Sequence, residues 1–222
     1  MSRHTSERRA RTRKRRIGAE ESDTRKALLD AALQLMMEEG YAAVTSRRVA
    51  ARAGLKPQLV HYYFRTMDDL FVALVRRGAE QNLSRLSRVL ASPEPLRALW
   101  RLGCDPAGAT LTTEFSALAN HRKAIRAELG ARAEEFRRLQ TRALSTVLME
   151  YGIDPVAFPP DAVLVLVTAV SQILVMEEAL GLTTGHAETR ALVERYLARY
   201  EAGAPGEGEG SGDAGSLPRH GG

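Results

Sequence analysis

Residues 44–70 read VTSRRVAARAGLKPQLVHYYFRTMDDL, and this stretch decides the fold. Thr45 offers an N-cap to a short helix whose Val49 and Ala50 point inward. Gly54 turns the chain, and Pro57 opens a second short helix at a position where a missing N–H costs nothing. Two short helices about a tight turn make a helix-turn-helix, and the second enters the major groove if its outward side chains are polar, planar or basic. Val49, Ala53, Leu55 and Leu59 are predicted to pack, leaving Lys56, Gln58, His61 and Tyr62 outside. Glutamine suits a two-point contact with adenine, and lysine suits guanine O6 and N7. Thr45 and Arg47 fall at a helix start, where hydroxyl, guanidinium and terminal N–H groups hold phosphates.

Upstream lies a basic arm, RRARTRKRR over residues 8–16, in which Arg13, Lys14, Arg15 and Arg16 are candidate phosphate or minor-groove contacts. Residues 1–66 contain fifteen Lys and Arg against seven Asp and Glu, whereas the remainder is slightly acidic. The basic surplus therefore accompanies the helix-turn-helix, as a nucleic-acid footprint requires. Residues 1–20 lack apolar periodicity and are expected to be a disordered basic arm; the Gly-rich residues 202–222 read as a disordered tail.

Cys104 is the single cysteine, so no intrachain disulfide can form and zinc-ligand spacing is absent. The basic start lacks an apolar core, and the longest apolar run, Ala162 to Val170, reads as too short for a bilayer. These features predict a cytoplasmic protein with no membrane partner.

The rest of the chain carries helical periodicity and nothing that reads as a strand. Ser22 or Asp23 is predicted to cap a first helix with Leu28, Ala31, Ala32, Leu35 and Met36 inside, stopped by Gly40. A long helix runs from Met67 to about Leu90 and ends at Ser92-Pro93. Shorter helices are expected around Leu96–Leu102 and Ala109–Ala119, followed by a long one from about Arg122 to Tyr151 that Gly130 could bend. Pro160 to Leu180 is apolar on almost every face, and a second stripe, Leu192, Val193, Tyr196, Leu197 and Tyr200, follows. Two late helices with surplus apolar surface suggest a homodimer seam. The organisation is all-α, with a DNA-binding domain over residues 21–66 and a larger helical ligand-binding and dimerisation domain over residues 67–201.

Residues 24–74 resemble the TetR family of bacterial transcriptional repressors. The resemblance rests on an apolar first helix, a Gly-Tyr stop at Gly40-Tyr41, the Thr45-capped second helix, the Ala53-Gly54-Leu55 turn, a Tyr-rich third helix ending in Phe64, and Asp68-Asp69-Leu70 opening the fourth. It implies about nine helices, a homodimer built on the last two, and an effector pocket in the larger domain. By position it implies backbone contacts from Thr45 and Arg47 and a recognition helix presenting Lys56, Gln58, His61, Tyr62 and Tyr63. The sequence departs from the family where Lys56 replaces a small hydroxyl cap, His61 a tyrosine, and Met67 a lysine that often opens the fourth helix.

Glu114, Asn120, His121, Gln172 and Glu177 are polar groups on apolar helices, but no nucleophile–base pair, metal spacing or phosphate loop accompanies them. Catalysis, metal and cofactor are therefore not expected. A mixed lining of Trp100, Leu111, Phe115, Leu118, Thr168, Ser171 and Gln172 would suit a small-molecule effector, with core packing an equal account of the apolar members. The scarcity of charge on these helices favours a hydrophobic or amphipathic effector. The leading reading is a ligand-responsive repressor binding a near-palindromic double-stranded DNA operator; the alternative is an effector-independent DNA-binding scaffold whose larger domain only dimerises.

Overall fold

The computed structural model describes residues 22–201, which form nine α-helices, one short 3-10 turn and no strand. Helix α1 covers residues 22–39 and buries Leu28, Leu29, Ala31, Ala32, Leu35 and Met36, the stripe expected from its periodicity. Ser22 and Asp23 are already helical, so neither is the cap the sequence suggested. Gly40 ends the helix at φ 82°, a conformation that side-chain-bearing residues rarely adopt. A 3-10 turn, Tyr41–Ala43, then leads to α2, Ser46–Arg52, and α3, Pro57–Tyr63. Thr45 caps α2 by accepting from the Arg48 N–H at 3.4 Å, and Gly54 at φ 67° makes the turn. In α3 the fully buried residue is Val60, with Leu59 only half-buried, so the inward face is rotated by one residue from the expected one.

Helix α4, Met67–Leu90, begins with a reciprocal cap: Thr66 Oγ1 accepts from the Asp69 N–H at 3.1 Å and Asp69 accepts from the Thr66 N–H at 3.0 Å. Met67, at the position where a lysine was expected, packs on the core instead. Helices α5, Pro95–Gly103, and α6, Pro106–His121, each open on proline and start earlier than the apolar pattern predicted. Helix α7, Lys123–Glu150, runs unbroken through Gly130. Helices α8, Pro160–Ala179, and α9, His186–Glu201, complete the described chain.

Two apolar cores hold the molecule together. The first joins α1 to α4 with Phe115, Leu118 and Ala119 of α6 and Ile125 of α7, so it spans the expected boundary at residue 66. The second contains Leu144, Leu148, Ile153 and Leu164 at the far end of α7 and α8. At twenty residues, α8 exceeds the run read from the sequence and is long and apolar enough to cross a bilayer. One face nonetheless packs inward through Leu164, Ser171, Leu174 and Val175. Its other face exposes Val165, Leu166, Ile173 and Met176, and α9 exposes Leu192 and Tyr196.

Candidate nucleic-acid interface

The sequence of α3 separates a packing face from a presenting face. Val60 and Phe64 are buried in the first core, and Tyr63 packs half-buried against it. Lys56, Gln58, His61 and Tyr62 are exposed on the opposite side, with Pro57 fixing the helix start between them. Tyr62 is 67% exposed, and its ring meets that of Tyr63 edge to face, with centroids 5.0 Å apart. The tyrosine pair thus divides as its spacing requires, Tyr63 inward and Tyr62 outward, while Arg25 of α1 lies 5.3 Å over the Phe64 ring and braces the helix from behind. Lys56 makes no side-chain cap, so Pro57 alone pre-sets the first turn.

Helix α2 carries three arginines, two of which are held by the end of α1. Arg48 Nη2 donates to both oxygens of Glu39 at 2.5 and 2.6 Å, and Arg52 Nη1 donates to Glu38 at 2.7 Å. The Arg48 hydrogen bond holds the Glu39 carboxyl below its ordinary pKa. Arg47, exposed like Thr45 beside it, forms no ion pair among the described residues and keeps its guanidinium available for phosphate. The sequence reading named Arg47 and not Arg48; the difference between them arises because Glu38 and Glu39 end α1 beside α2. Arg13, Lys14, Arg15 and Arg16 lie outside the described residues.

Charged contacts join the first helices to α4 and α6, and α4 to α7. Glu114 of α6 accepts the Tyr41 N–H at 2.6 Å, just after Gly40, where an added Cβ would meet the same carboxylate at 3.2 Å. Arg122, at the start of α7, pairs with Asp68 of α4 and lies 5.6 Å over the Phe71 ring. Arg76 of α4 donates to Glu128 of α7 at 2.8 Å, and Arg132 donates to the same carboxylate at 3.0 Å. The two arginines, Arg76 foremost, lower the Glu128 pKa to about 2. Arg77 of α4 pairs with Asp30 of α1. Of the polar groups that drew attention in the sequence, Glu114 is therefore a strut, and Glu177 holds His186 at 2.8 Å.

The residues proposed to line an effector pocket do not share one environment. Leu111, Phe115 and Leu118 belong to the first core, Leu111 at its edge. Trp100 of α5 is buried outside both cores. Thr168 donates to the Leu164 carbonyl at 2.7 Å, and Ser171 donates to the Thr168 carbonyl at 3.1 Å, so both hydroxyls are engaged by their own helix. Ser171 is fully buried against Gly103, while Gln172 is exposed.

Residues 28–74 match the profile of bacterial regulatory proteins of the tetR family. The HTH-type transcriptional regulator BetI of Rhizobium meliloti (strain 1021) is 44% identical over 52 residues, which is 23% of this chain and only 26% of that protein. The fold has wider company. A TetR transcription regulator from Haloarcula marismortui superposes with a TM-score of 0.62 at 20% identity, covering 81% of this chain and 98% of the other. A transcriptional regulator structure from Saccharomonospora viridis, in complex with choline, gives a TM-score of 0.66 at 17% identity, covering 82% and 97%.

Proposed function

We propose that this chain is a transcriptional regulator of the tetR family of bacterial regulatory proteins, acting as a homodimeric repressor of a near-palindromic operator and released by a small hydrophobic or amphipathic effector. The observation that carries the reading is the divided surface of α3. Its apolar side is anchored in a core shared with α4 and α6, and its exposed side presents Lys56, Gln58, His61 and Tyr62. Thr45 and Arg47 at the start of α2 hold phosphates on the flank, and the basic arm over residues 8–16 adds backbone charge.

The exposed apolar faces of α8 and α9 form the dimer seam in this reading, because Val165, Leu166, Ile173, Met176, Leu192 and Tyr196 otherwise remain in water. A two-fold dimer places two copies of α3 in successive major grooves, about 34–36 Å apart. The effector acts by changing that separation. Helix α4 carries the displacement, since it begins beside α3 and is locked to α7 through Arg122 and Glu128. A coupling of about 1 to 3 kcal/mol between effector and operator is enough to switch occupancy.

Operator selection from a random duplex pool, followed by titration at several salt concentrations, tests this function. A specific repressor prefers its selected site by orders of magnitude at fixed salt; equal affinity for all duplexes would leave a backbone-binding scaffold. Within the selected site, Gln58→Ala is expected to cost about 1 to 3 kcal/mol and to relax preference at one base pair. A uniform loss on all sequences would reassign Gln58 to the phosphates.

A further inference from the structure

Helix α9 is fastened to the chain with little apolar burial. Its only fully buried residue is polar, His186, while Val193, Leu197 and Tyr200 are half-buried and Leu192 and Tyr196 are exposed. Its main packing partner among the described helices is α5. At the far end of α9, Arg97 of α5 donates through Nε to Glu194 at 2.9 Å and through its backbone N–H to Glu201 at 3.0 Å. That fastening joins an arginine to carboxylates; the one at the near end depends on a histidine proton.

His186 is the first residue of α9, and both of its ring nitrogens face carboxylates from the last turn of α8. Nε2 stands 2.8 Å from Glu177, and Nδ1 stands 3.4 Å from Glu178. A neutral imidazole has one N–H, so only the doubly protonated ring can donate to both. Arg190, one turn along α9, donates to the same Glu178 oxygen at 2.7 Å. Imidazolium and guanidinium therefore balance two carboxylates, and loss of the ring proton leaves a net negative charge with a nitrogen lone pair turned on a carboxylate. Glu177 and Glu178 are the charges that act on the ring. The remaining titratable neighbour is Cys104 at the end of α5, which acts on Arg190 and Glu178; burial raises its thiol pKa and keeps it neutral. The helix ends reinforce the arrangement, because a cation from α9 meets the negative C-terminal end of α8 and two carboxylates of α8 meet the positive N-terminal end of α9.

We infer that the protonated His186 is a clasp holding α9 against α8, and that it makes association of two copies of this chain pH-dependent, tight in mildly acid and looser in mildly alkaline solution. The inference rests on the homodimer reading above and adds a regulatory input to that seam. The seam draws Val165, Leu166, Ile173 and Met176 from α8 but Leu192 and Tyr196 from α9, so it is one surface only while the two helices keep one relative pose. A closed clasp holds the ring proton more tightly than an open one. The dimer is therefore favoured below the raised histidine pKa and is lost as pH rises through it.

The test follows dissociation of the full chain, labelled at its N-terminus and diluted in fluorescence-detected sedimentation at about pH 6 and about pH 8.5, which bracket the histidine range. The dissociation constant is expected to rise about tenfold or more from the lower to the higher pH, with the helical circular dichroism unchanged. His186→Gln should dissociate at both pH values as the parent does at the higher one. Glu177→Gln, which keeps the histidine and removes one counter-charge, should move the parent's transition to lower pH. A parent dimer equally tight at both pH values, or a His186→Gln variant that keeps the parent's pH dependence, would overturn the clasp and leave the homodimer standing. Loss of helicity together with the dimer would also overturn the clasp, since the proton would then act on global folding. Absence of a dimer at either pH would overturn the clasp and the homodimer reading together.

Discussion

Among the described residues, Gly103 brings α5 closer to α8 than any other glycine brings its helix to a neighbour, and the crossing can be probed by moving its missing side chain. A Cβ added at Gly103 would lie 2.5 Å from Ser171 Oγ and 3.1 Å from Ser171 Cβ. The hydroxyl can rotate, but Ser171 Cβ cannot, and Ser171 is completely buried. Carbon atoms in good contact stand about 3.5 to 4.0 Å apart, so Gly103→Ala must separate the helices by roughly half an ångström. Overpacking of this kind costs about 1 to 3 kcal/mol, offset by at most about 1 kcal/mol of improved helix propensity at the last turn of α5. A net loss of about 1 to 2 kcal/mol is expected. Ser171→Gly alone should cost about 1 kcal/mol through lost contact and lower propensity. The double variant exchanges the small residue across the crossing, so its loss should be smaller than the sum of the single losses by about 1 to 2 kcal/mol. Urea unfolding at one fixed protein concentration, with the midpoint and slope both recorded, measures all four corners. Strict additivity, or a Gly103→Ala variant as stable as the parent, would refute the close crossing.

Three further outcomes follow from the struts and caps. Glu114→Ala leaves the Tyr41 N–H without its acceptor and should destabilise the protein by about 1 to 3 kcal/mol, with Glu114→Gln milder; equal unfolding midpoints for all three proteins would remove the strut. Arg47→Ala should weaken every duplex alike and lower the salt slope by about one, whereas Arg48→Ala should act mainly on thermal stability because Arg48 is held by Glu39; identical effects of the two variants on DNA affinity would contradict this division. His186, between Glu177 and Glu178, has its pKa raised above the ordinary 6.5, mainly by the Glu177 hydrogen bond, while Glu178 is held below 4.5, mainly by Arg190. A raised histidine contributes stability that is complete below about pH 6.5 and is lost as pH rises through its folded value; the lowered Glu178 contributes above about pH 4.5 and fades as pH falls. Stability should therefore decline on the alkaline side of that window in the parent protein and much less in His186→Gln, as followed by melting temperature against pH.

How much of this was legible beforehand depends on the distance over which each decision is made. Thr45, Gly54 and Pro57 act within one helical turn, so the placement of α2 and α3 could be read from neighbours in sequence. The same holds for the apolar stripe of α1 and the proline-ended α4. The inward phase of α3 was harder, because Leu59 and Val60 are both apolar and only the packing of α3 on α2 and the first core makes Val60 the buried one. That Arg48 is held by Glu39 while Arg47 is not depends on how α1 packs beside α2, which no local pattern shows. Glu114 contacts a backbone group 73 residues away, and no local pattern announces such a partner. The expected pocket residues were chosen for composition, and composition cannot tell Thr168 and Ser171, which bond to their own helix, from hydroxyls available to a ligand.

The first apolar core has a practical meaning for anyone recombining this chain with another of the same fold. Leu28, Val49, Val60 and Phe64 of the first three helices and the residue that follows them share one packed interior with Phe115, Leu118 and Ile125 from beyond residue 100. Grafting residues 22–66 onto another helical body would leave those side chains facing a foreign surface, with an apolar void or clash at the joint. A working chimera must therefore carry the matching residues of α6 and α7 along with the head, which makes the unit of exchange a discontinuous set of residues and not a segment of sequence.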